Sequence, residues 1–281
     1  MRFFKLLRFD LFYGVIKAYH KYILLLFLFI PISIEFEFKR TGFTDMINDG
    51  EASKTLGDVA LYVFGGMKEY IPSPDNPFLF PVFWLLFYLI IFYTTLYYPF
   101  KDLNGFGKQI IVHGGSRKSW WLSKCLWNAV TVSAFFVLIW IAILFYARIT
   151  DAGMTFQISP YMREIFELNE IVNSPEKWDV TTLLIVGPWL TAIALNLVQM
   201  VLSLLIKPIF SLIVSVIILI ASAYYYSPLM LGNYAMCVRS SQIMTNGMPL
   251  KSGIVYCVVV ILVSIMIGML IFRNYDILNR E

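Results

Sequence analysis

The sequence contains few residues of the kinds that build metal centres or disulfide frameworks. Its 281 residues include three cysteines and two histidines. Cys125 and Cys257 fall in or beside apolar runs, and no pair of cysteines has the spacing of a zinc site or a disulfide framework. His20 and His113 are far apart and lack acidic neighbours, so no ligand cluster such as H-E-x-x-H is present. We therefore predict no metal centre and no cofactor bound by this chain.

Charged residues are also scarce. They make up 14% of the chain and hydrophobic residues 59%, whereas a typical soluble domain has about 25% charged residues. One core cannot bury this much apolar surface, so a lipid bilayer must act as the solvent for much of it. We expect the lipid bilayer among the partners of this protein, and no nucleic acid.

Six stretches approach or reach the length of about 20 apolar residues that a membrane-spanning helix needs. They lie near residues 22–36, 78–99, 121–147, 181–206, 209–227 and 253–272. Only Lys207 and Pro208 divide the fourth stretch from the fifth, and proline disfavours helix at the residue before it. The predicted fold is all-α, with six transmembrane helices in a single transmembrane domain over residues 1–281.

The distribution of basic residues predicts the orientation of the spans. If the N-terminus lies inside, the segments on that side hold thirteen bases and four acids, and the opposite segments hold nine bases and fourteen acids. The positive-inside rule favours this arrangement. Both termini are therefore expected in the cytoplasm, with outer loops near residues 37–77, 148–180 and 228–252.

Residues 1–20 precede the first span and mix aromatic and aliphatic residues with bases. Apolar residues recur at helical spacing from Phe4 to Tyr19, a pattern typical of an amphipathic helix in the membrane interface. Arg8 interrupts the apolar stripe. The sequence favours an N-terminal interfacial helix, and a plain extension of the first span is the alternative.

Residues 105–121, GFGKQIIVHGGSRKSWW, form a polar gap between the second and third apolar stretches. A phosphate-binding loop requires the order G-x-x-x-x-G-K-[ST] at the end of a strand. The segment GGSRKS has these residue types in another order and precedes a membrane helix. We therefore predict no nucleotide site in this chain.

The same gap favours a short interfacial helix in a cytoplasmic segment at residues 100–120. Its apolar side would be formed by Phe106, Ile110 and Ile111. Gly114 and Gly115 would end the helix, because glycine accepts the left-handed conformation found just past a helix C-terminus. An ordinary basic loop that only fixes topology is the alternative.

Polar residues within the spans are few. Asn196, Gln199 and Ser203 share one face of the fourth span, where buried polar side chains commonly hydrogen-bond neighbouring helices. Tyr88 and Tyr93 would lie deep in the aromatic second span, where their hydroxyls need partners. No span centre holds an acidic or basic residue, which argues against an ion-coupled transporter and an intramembrane hydrolase. We expect no enzymatic activity from this chain alone.

Two segments carry a resemblance to a known family. They are FGKQIIVHGGSRKSWWLSK after the second span and IGMLIFRNYDILNRE after the sixth. Gly114, Gly115, Ser116 and Arg117 match a G-x-S-R pattern that is frequent in small permeases. The chain resembles the membrane subunit of a bacterial ABC exporter of the type-two permease class, and its layout is similar to that of exporters of phenol-soluble-modulin or bacteriocin-immunity type.

This resemblance implies an ATP-driven exporter in the bacterial cytoplasmic membrane. A separate ATPase subunit, which binds ATP and Mg, would dock under a coupling helix between spans two and three. The implied coupling residues are Lys101, Asp102, Lys108, Gln109, Gly114, Gly115, Arg117 and Lys118. A second permease copy would complete a route for an amphipathic substrate, which the resemblance suggests is a peptide. The candidate route residues are Tyr88, Tyr93, Asn196, Gln199 and Ser215. The alternative function is a non-transporting membrane sensor or assembly scaffold with a cytoplasmic partner-binding loop.

Overall fold

A computed structural model of the chain describes residues 2–47, 53–74, 77–113, 116–168 and 177–275. Over these residues the fold is all-α without β-strands, which confirms the predicted class. Its α-helices are α1 (Arg2–Leu11), α2 (His20–Ile47), α3 (Leu56–Phe64), α4 (Val82–Leu96), α5 (Tyr98–Leu103), α6 (Phe106–Val112), α7 (Arg117–Ile149), α8 (Tyr161–Ile165), α9 (Lys177–Leu205), α10 (Pro208–Tyr224) and α11 (Leu250–Arg273). A π-helix, Phe12–Ile16, follows α1, and the 3₁₀ helices Leu231–Ala235 and Cys237–Arg239 lie between α10 and α11.

The described residues contain four helical stretches that are long and apolar enough to cross a membrane. They are Val82–Leu103, Arg117–Ile149, Asp179–Leu205 and Leu250–Arg273. These stretches indicate a membrane protein, as the composition predicts. The spans predicted near 22–36 and 209–227 correspond to α2 and α10. Neither helix is among the four apolar stretches, because α10 has only 17 residues and α2 carries several charges in its second half.

The helix α2 continues into the stretch predicted as the first outer loop, residues 37–77. On its surface Lys39 pairs with Glu35 at 3.0 Å, and Arg40 pairs with Glu37 at 2.8 Å. Ion pairs three and four residues apart support a helix in water. The helix therefore continues beyond the apolar run and past the end of the span predicted near residues 22–36.

The predicted first and second outer loops are joined at α3. Thr55 caps this helix, and its hydroxyl accepts a hydrogen bond from the Asp58 amide at 3.1 Å. The buried Asp58 carboxylate accepts hydrogen bonds from the hydroxyls of Ser159 at 2.6 Å and Tyr161 at 2.8 Å. Burial raises the pKa of Asp58, and the hydrogen bonds from Ser159 oppose that shift. These bonds hold α3 and the start of α8 together.

The predicted third outer loop is fixed by Arg239, which is 1% exposed. Its guanidinium donates to the carbonyls of Ser222 at 2.6 Å and Ala223 at 2.7 Å, in the last turn of α10. It also donates to the carbonyls of Met67 and Lys68, both at 2.9 Å. Carbonyls at a helix C-terminus lack partners within the helix. Arg239 satisfies them, and burial lowers the pKa of its guanidinium to about 10.

The core is arranged around α9, which packs against α4, α7, α10 and α11. The N-terminal helix α1 packs along α7. Its Leu6 and Asp10 are buried against the protein, whereas Phe4 is 73% exposed. A helix with one face on the protein and an exposed apolar residue on another is compatible with the predicted place at the membrane surface.

Candidate functional site

The polar gap between the second and third apolar stretches is largely helical. Pro99 stands in the first turn of α5, where a missing N–H is tolerated. The next helix, α6, ends at Val112, and the amide of its C-cap residue His113 donates to the Gln109 carbonyl at 3.0 Å. Ser116 caps α7 by accepting a hydrogen bond from the Ser119 amide at 3.4 Å. Gly114 and Gly115, predicted to turn the chain, lie outside the described residues.

A fully buried lysine anchors this segment. The Lys124 ammonium of α7 contacts the Asp10 carboxylate of α1 and lies 2.7 Å from the Asp102 carboxylate of α5. Ser123 donates a second hydrogen bond to Asp10. A buried charge is tolerated only when it is paired and hydrogen-bonded. We call Asp10, Tyr98, Asp102, Trp120, Ser123 and Lys124 the Lys124 cluster.

Two aromatic side chains complete the Lys124 cluster. The Tyr98 hydroxyl donates to Asp10 at 2.9 Å, and the Trp120 indole N–H donates to Asp102 at 2.7 Å. The Lys124 ammonium lies 4.8 Å from the Tyr98 ring centroid and 5.2 Å from the Trp120 ring centroid. Trp120 is buried in the protein, where its N–H has a carboxylate partner.

The helix α6 approaches the Lys124 cluster through a glycine. A Cβ atom on Gly107 would lie 2.3 Å from the Asp102 carboxylate and 2.7 Å from the Trp120 indole nitrogen. Both distances are far below ordinary van der Waals contact. Only glycine allows α6 to pack this closely against the cluster.

Arg117 connects the start of α7 to the end of α11. Its guanidinium donates to the carbonyls of Arg273 at 2.9 Å and Tyr275 at 2.8 Å. One turn later, the Trp120 ring stacks on Phe272 with centroids 4.6 Å apart. These contacts join the segment after the second span to the last described helix.

The geometry separates the predicted coupling residues into two groups. Lys101, Gln109 and Lys118 are exposed, and Lys108 is half-buried. The Asp102 side chain lies inside the Lys124 cluster and is 9% exposed. Asp102 and Arg117 are therefore engaged within the chain, and the surface open to another protein is basic.

Sequence reasoning missed the central members of the Lys124 cluster. Asp10 and Lys124 were expected only as charges that set the orientation. A signal was present, because Lys124 falls inside the stretch predicted as the third span, where a charge needs a partner. The identity of that partner could not be found, since Asp10 lies 114 residues away.

The candidate route residues occupy different surroundings. The polar face of α9 bonds to α4: Asn196 accepts from the Thr95 hydroxyl at 2.7 Å, and Gln199 donates to the Phe92 carbonyl at 3.2 Å. This confirms the predicted hydrogen bonding between helices for Asn196 and Gln199, whereas the Ser203 hydroxyl donates to the Met200 carbonyl of its own helix at 2.7 Å. With neighbouring polar groups, Asn196 and Gln199 line an internal cavity of about 10 Å³, the size of a single water site.

The remaining candidates do not join that cavity. Tyr88 is fully buried, and its hydroxyl donates to the Pro188 carbonyl at 3.4 Å. Ser215 is buried and donates to the Ser211 carbonyl of its own helix at 3.0 Å. Tyr93 is 55% exposed, so it lies on the surface of this chain.

Comparison with known proteins relates the chain to one family. The family model described as "Protein of unknown function (DUF2705)" matches residues 57–278. No curated protein and no solved structure matches the chain. The matched range contains Asp102 and Lys124 of the Lys124 cluster, whereas Asp10 precedes it.

Proposed function

We propose a function for this chain from the geometry of its own residues. The chain belongs to the DUF2705 family of proteins of unknown function. The chain is the permease subunit of an ATP-driven exporter in the bacterial cytoplasmic membrane. In this proposal α2, α4, α7, α9, α10 and α11 are the six spans, and both termini are cytoplasmic. The excess of thirteen bases over four acids on the cytoplasmic side supports this orientation.

The Lys124 cluster is the observation that carries the proposal. A coupling element must transmit force to the spans, so it has to be attached to them rigidly. Asp102 of α5 shares the Lys124 ammonium with Asp10 of α1. Breaking a buried ion pair by removing one partner costs about 3–5 kcal/mol, so α1, α5 and α7 move as one body. A loop that only fixes topology has no need of such an anchor.

The polar residues of this segment that are exposed or half-buried supply the docking surface. Lys101, Lys108, Gln109 and Lys118 lie on the same connection between α4 and α7 as the buried anchor. A partner that docks here needs complementary acidic groups, because charge complementarity steers association and fixes register. In this proposal the partner is a separate ATPase subunit that binds ATP and Mg.

Motion of the docking surface reaches the sixth span through α7. Arg117 is bonded to the C-terminal end of α11, and the Trp121 ring lies against Gly268, where a Cβ atom would meet the ring at 1.9 Å. The two helices are thus in close contact near the coupling segment. A displacement of α5 and α6 would be passed to α7 and α11 together.

A second permease copy completes the substrate route in this proposal. Asn196 and Gln199 bond within the chain and leave the exposed faces of α4 and α10 as the surfaces open to another copy. Tyr93 on α4 and Phe210 and Ile213 on α10 are exposed. An aromatic and aliphatic route with few charges suits an amphipathic peptide.

The experiment reverses the charge of the docking surface. We expect the ATP hydrolysis that co-purifies with the Lys101→Glu/Lys118→Glu variant from native membranes to fall by at least about tenfold, since like charges placed across an interface cost several kcal/mol. The matched control is Arg148→Glu/Lys251→Glu, which reverses two exposed bases assigned to the outer side. Parental ATPase association in a correctly inserted docking variant contradicts the proposal. If no ATPase associates with the parental protein, the sensor or scaffold alternative replaces it.

A further inference from the structure

A groove of about 440 Å³ opens beside the N-terminal end of α4. Its walls come from the second half of α2, from α3 and its following loop, from residues 79–84 and from residues 165–167. Cavities that bind small molecules commonly measure about 300–1,000 Å³. The groove is therefore large enough for a ligand.

The floor of the groove is apolar and aromatic. Tyr62 of α3 and Phe166 contribute rings whose centroids lie 6.2 Å apart, and Trp84 of α4 is almost fully buried beside them. At the mouth, Leu79 is 73% exposed and Val82 is 54% exposed. The apolar surface thus continues from inside the groove onto the outside of the chain.

The position of α4 places this mouth at a membrane surface. The stretch Val82–Leu103 is long and apolar enough to span the bilayer, and the groove surrounds its first residues. Lipid headgroups and the first carbons of the acyl chains lie at this level. A ligand in the groove would have its apolar part beside Leu79 and Val82.

The rim of the groove carries two ion pairs. Lys39 pairs with Glu35 at 3.0 Å, and Lys68 pairs with Glu167 at 2.9 Å. All four side chains are partly exposed, from 34% for Glu35 to 73% for Glu167. Exposed ion pairs contribute little to stability. The Lys68 ammonium also donates to the Glu167 carbonyl at 3.0 Å, and the Lys39 ammonium lies 5.5 Å from the Tyr62 ring centroid. The rim has zero net charge but offers both signs to a ligand.

We propose that this groove binds one phospholipid with a zwitterionic headgroup. The phosphate lies against Lys39 and Lys68, the headgroup ammonium lies against Glu35 and Glu167, and an acyl chain runs along Leu79 and Val82. An anionic headgroup would satisfy the lysines and leave the glutamates without a partner. The proposal does not depend on the exporter function.

The volume of the groove favours a lipid over a peptide. One turn of an α-helix is about 5.4 Å long and about 10 Å wide with its side chains, which corresponds to roughly 420 Å³. The groove would hold one such turn, too little to recognise an amphipathic helix through its repeating apolar face. A headgroup and the first part of its chains fit this size.

The test uses the full-length protein in vesicles of equal phosphatidylcholine and phosphatidylglycerol. A trace of either lipid carries a photoactivatable group near its glycerol, and cross-linked peptides are mapped by mass spectrometry. We expect the phosphatidylcholine probe to label residues 79–84 and 166 about fivefold more than the phosphatidylglycerol probe, the preference expected from surface ion pairs. A cationic amphipathic peptide with the same photoactivatable group is the third probe.

Two variants test the rim. The variant Lys68→Gln/Glu167→Gln removes one ion pair. The variant Lys39→Gln/Glu35→Gln removes the other and provides the test if the first variant does not fold. Each should reduce the preference for phosphatidylcholine, because one of the two ion pairs is lost. The matched control, Arg148→Gln/Asp179→Asn, neutralises an exposed base and an exposed acid outside the groove and should keep the preference. Any of three results overturns the proposal: equal labelling by both lipids, an unchanged preference in the rim variants, or stronger labelling by the peptide than by the lipids.

Discussion

Lys124 of α7 and Asp10 of α1 form an ion pair that solvent does not reach, with side chains 0% and 1% exposed. The two residues are 114 positions apart in the sequence. A pair of this kind needs further hydrogen bonds to offset the loss of hydration, and Ser123 and Tyr98 supply them to Asp10. The N-terminal helix is thereby attached to the third predicted span by polar contacts as well as by apolar packing.

Loss of the buried ammonium should strongly destabilise the protein. Lys124→Met leaves the carboxylates of Asp10 and Asp102 without their cation, and we expect the free energy of unfolding to fall by about 3–5 kcal/mol. Denaturation of the purified protein in detergent measures the change. Lys118→Met, which removes an exposed lysine six residues earlier on the same helix, should change it by less than about 0.5 kcal/mol. Equal effects of the two substitutions would show that the cluster is not a stabilising anchor.

The close approach of α6 gives a second prediction. Gly107→Ala places a methyl group within 2.3 Å of the Asp102 carboxylate, and overpacking of this kind costs about 1–3 kcal/mol. The melting temperature should therefore fall. Gly42→Ala is the matched control, because a Cβ atom on Gly42 of α2 would have no heavy atom within 4 Å, and alanine favours a helix by about 1 kcal/mol over glycine. A Gly107→Ala variant with the same melting temperature as the parental protein would contradict the close contact between α6 and Asp102.

The proposed orientation predicts which engineered cysteines react in intact cells. Ser53→Cys and Ser252→Cys should react with an impermeant thiol reagent, and Ser116→Cys should react only after the membrane is opened. All three serines are exposed, and all three native cysteines are buried, so the background should be low. If Ser116→Cys is labelled from outside the cell, the proposed orientation is wrong.

The contacts of Arg239 predict that lysine cannot replace it. A lysine ammonium has three donors on a flexible stem, whereas the guanidinium presents five in a rigid fork. Arg239→Lys should leave at least one of the carbonyls of Met67, Lys68, Ser222 and Ala223 without a donor, at a cost of about 1–3 kcal/mol. Limited proteolysis after residue 225 should become faster. The exposed Arg148→Lys should be cleaved at the parental rate, and similar rates for both variants contradict this role.

The helices that sequence reasoning located best are those with long apolar runs. The structure places α7 and α11 over the third and sixth predicted stretches, because nearly every residue there must face lipid or other helices. The apolar pattern of the first predicted span stops near residue 36, whereas α2 continues to Ile47 and carries an ion pair between Glu35 and Lys39 on its surface. Hydrophobicity marks where a membrane is crossed, and it does not mark where a helix ends.

The candidate site could be predicted only in part. The exposed bases Lys101 and Lys118 follow from the composition of the polar gap, but the roles of Asp102 and Arg117 do not. Both look like surface charges in the sequence and bond inside the chain in the structure. Their partners come from α7 and from the end of α11, and a local pattern carries no information about such distant pairs.

The Lys124 cluster also imposes an order on biosynthesis. A ribosome completes α1 long before it makes Lys124, so Asp10 has no cation to pair with while the first predicted spans are inserted. Helix α1 can therefore reach its final position only after α7 has been made. Its place against the third predicted span depends on residues that are synthesised more than 100 positions later.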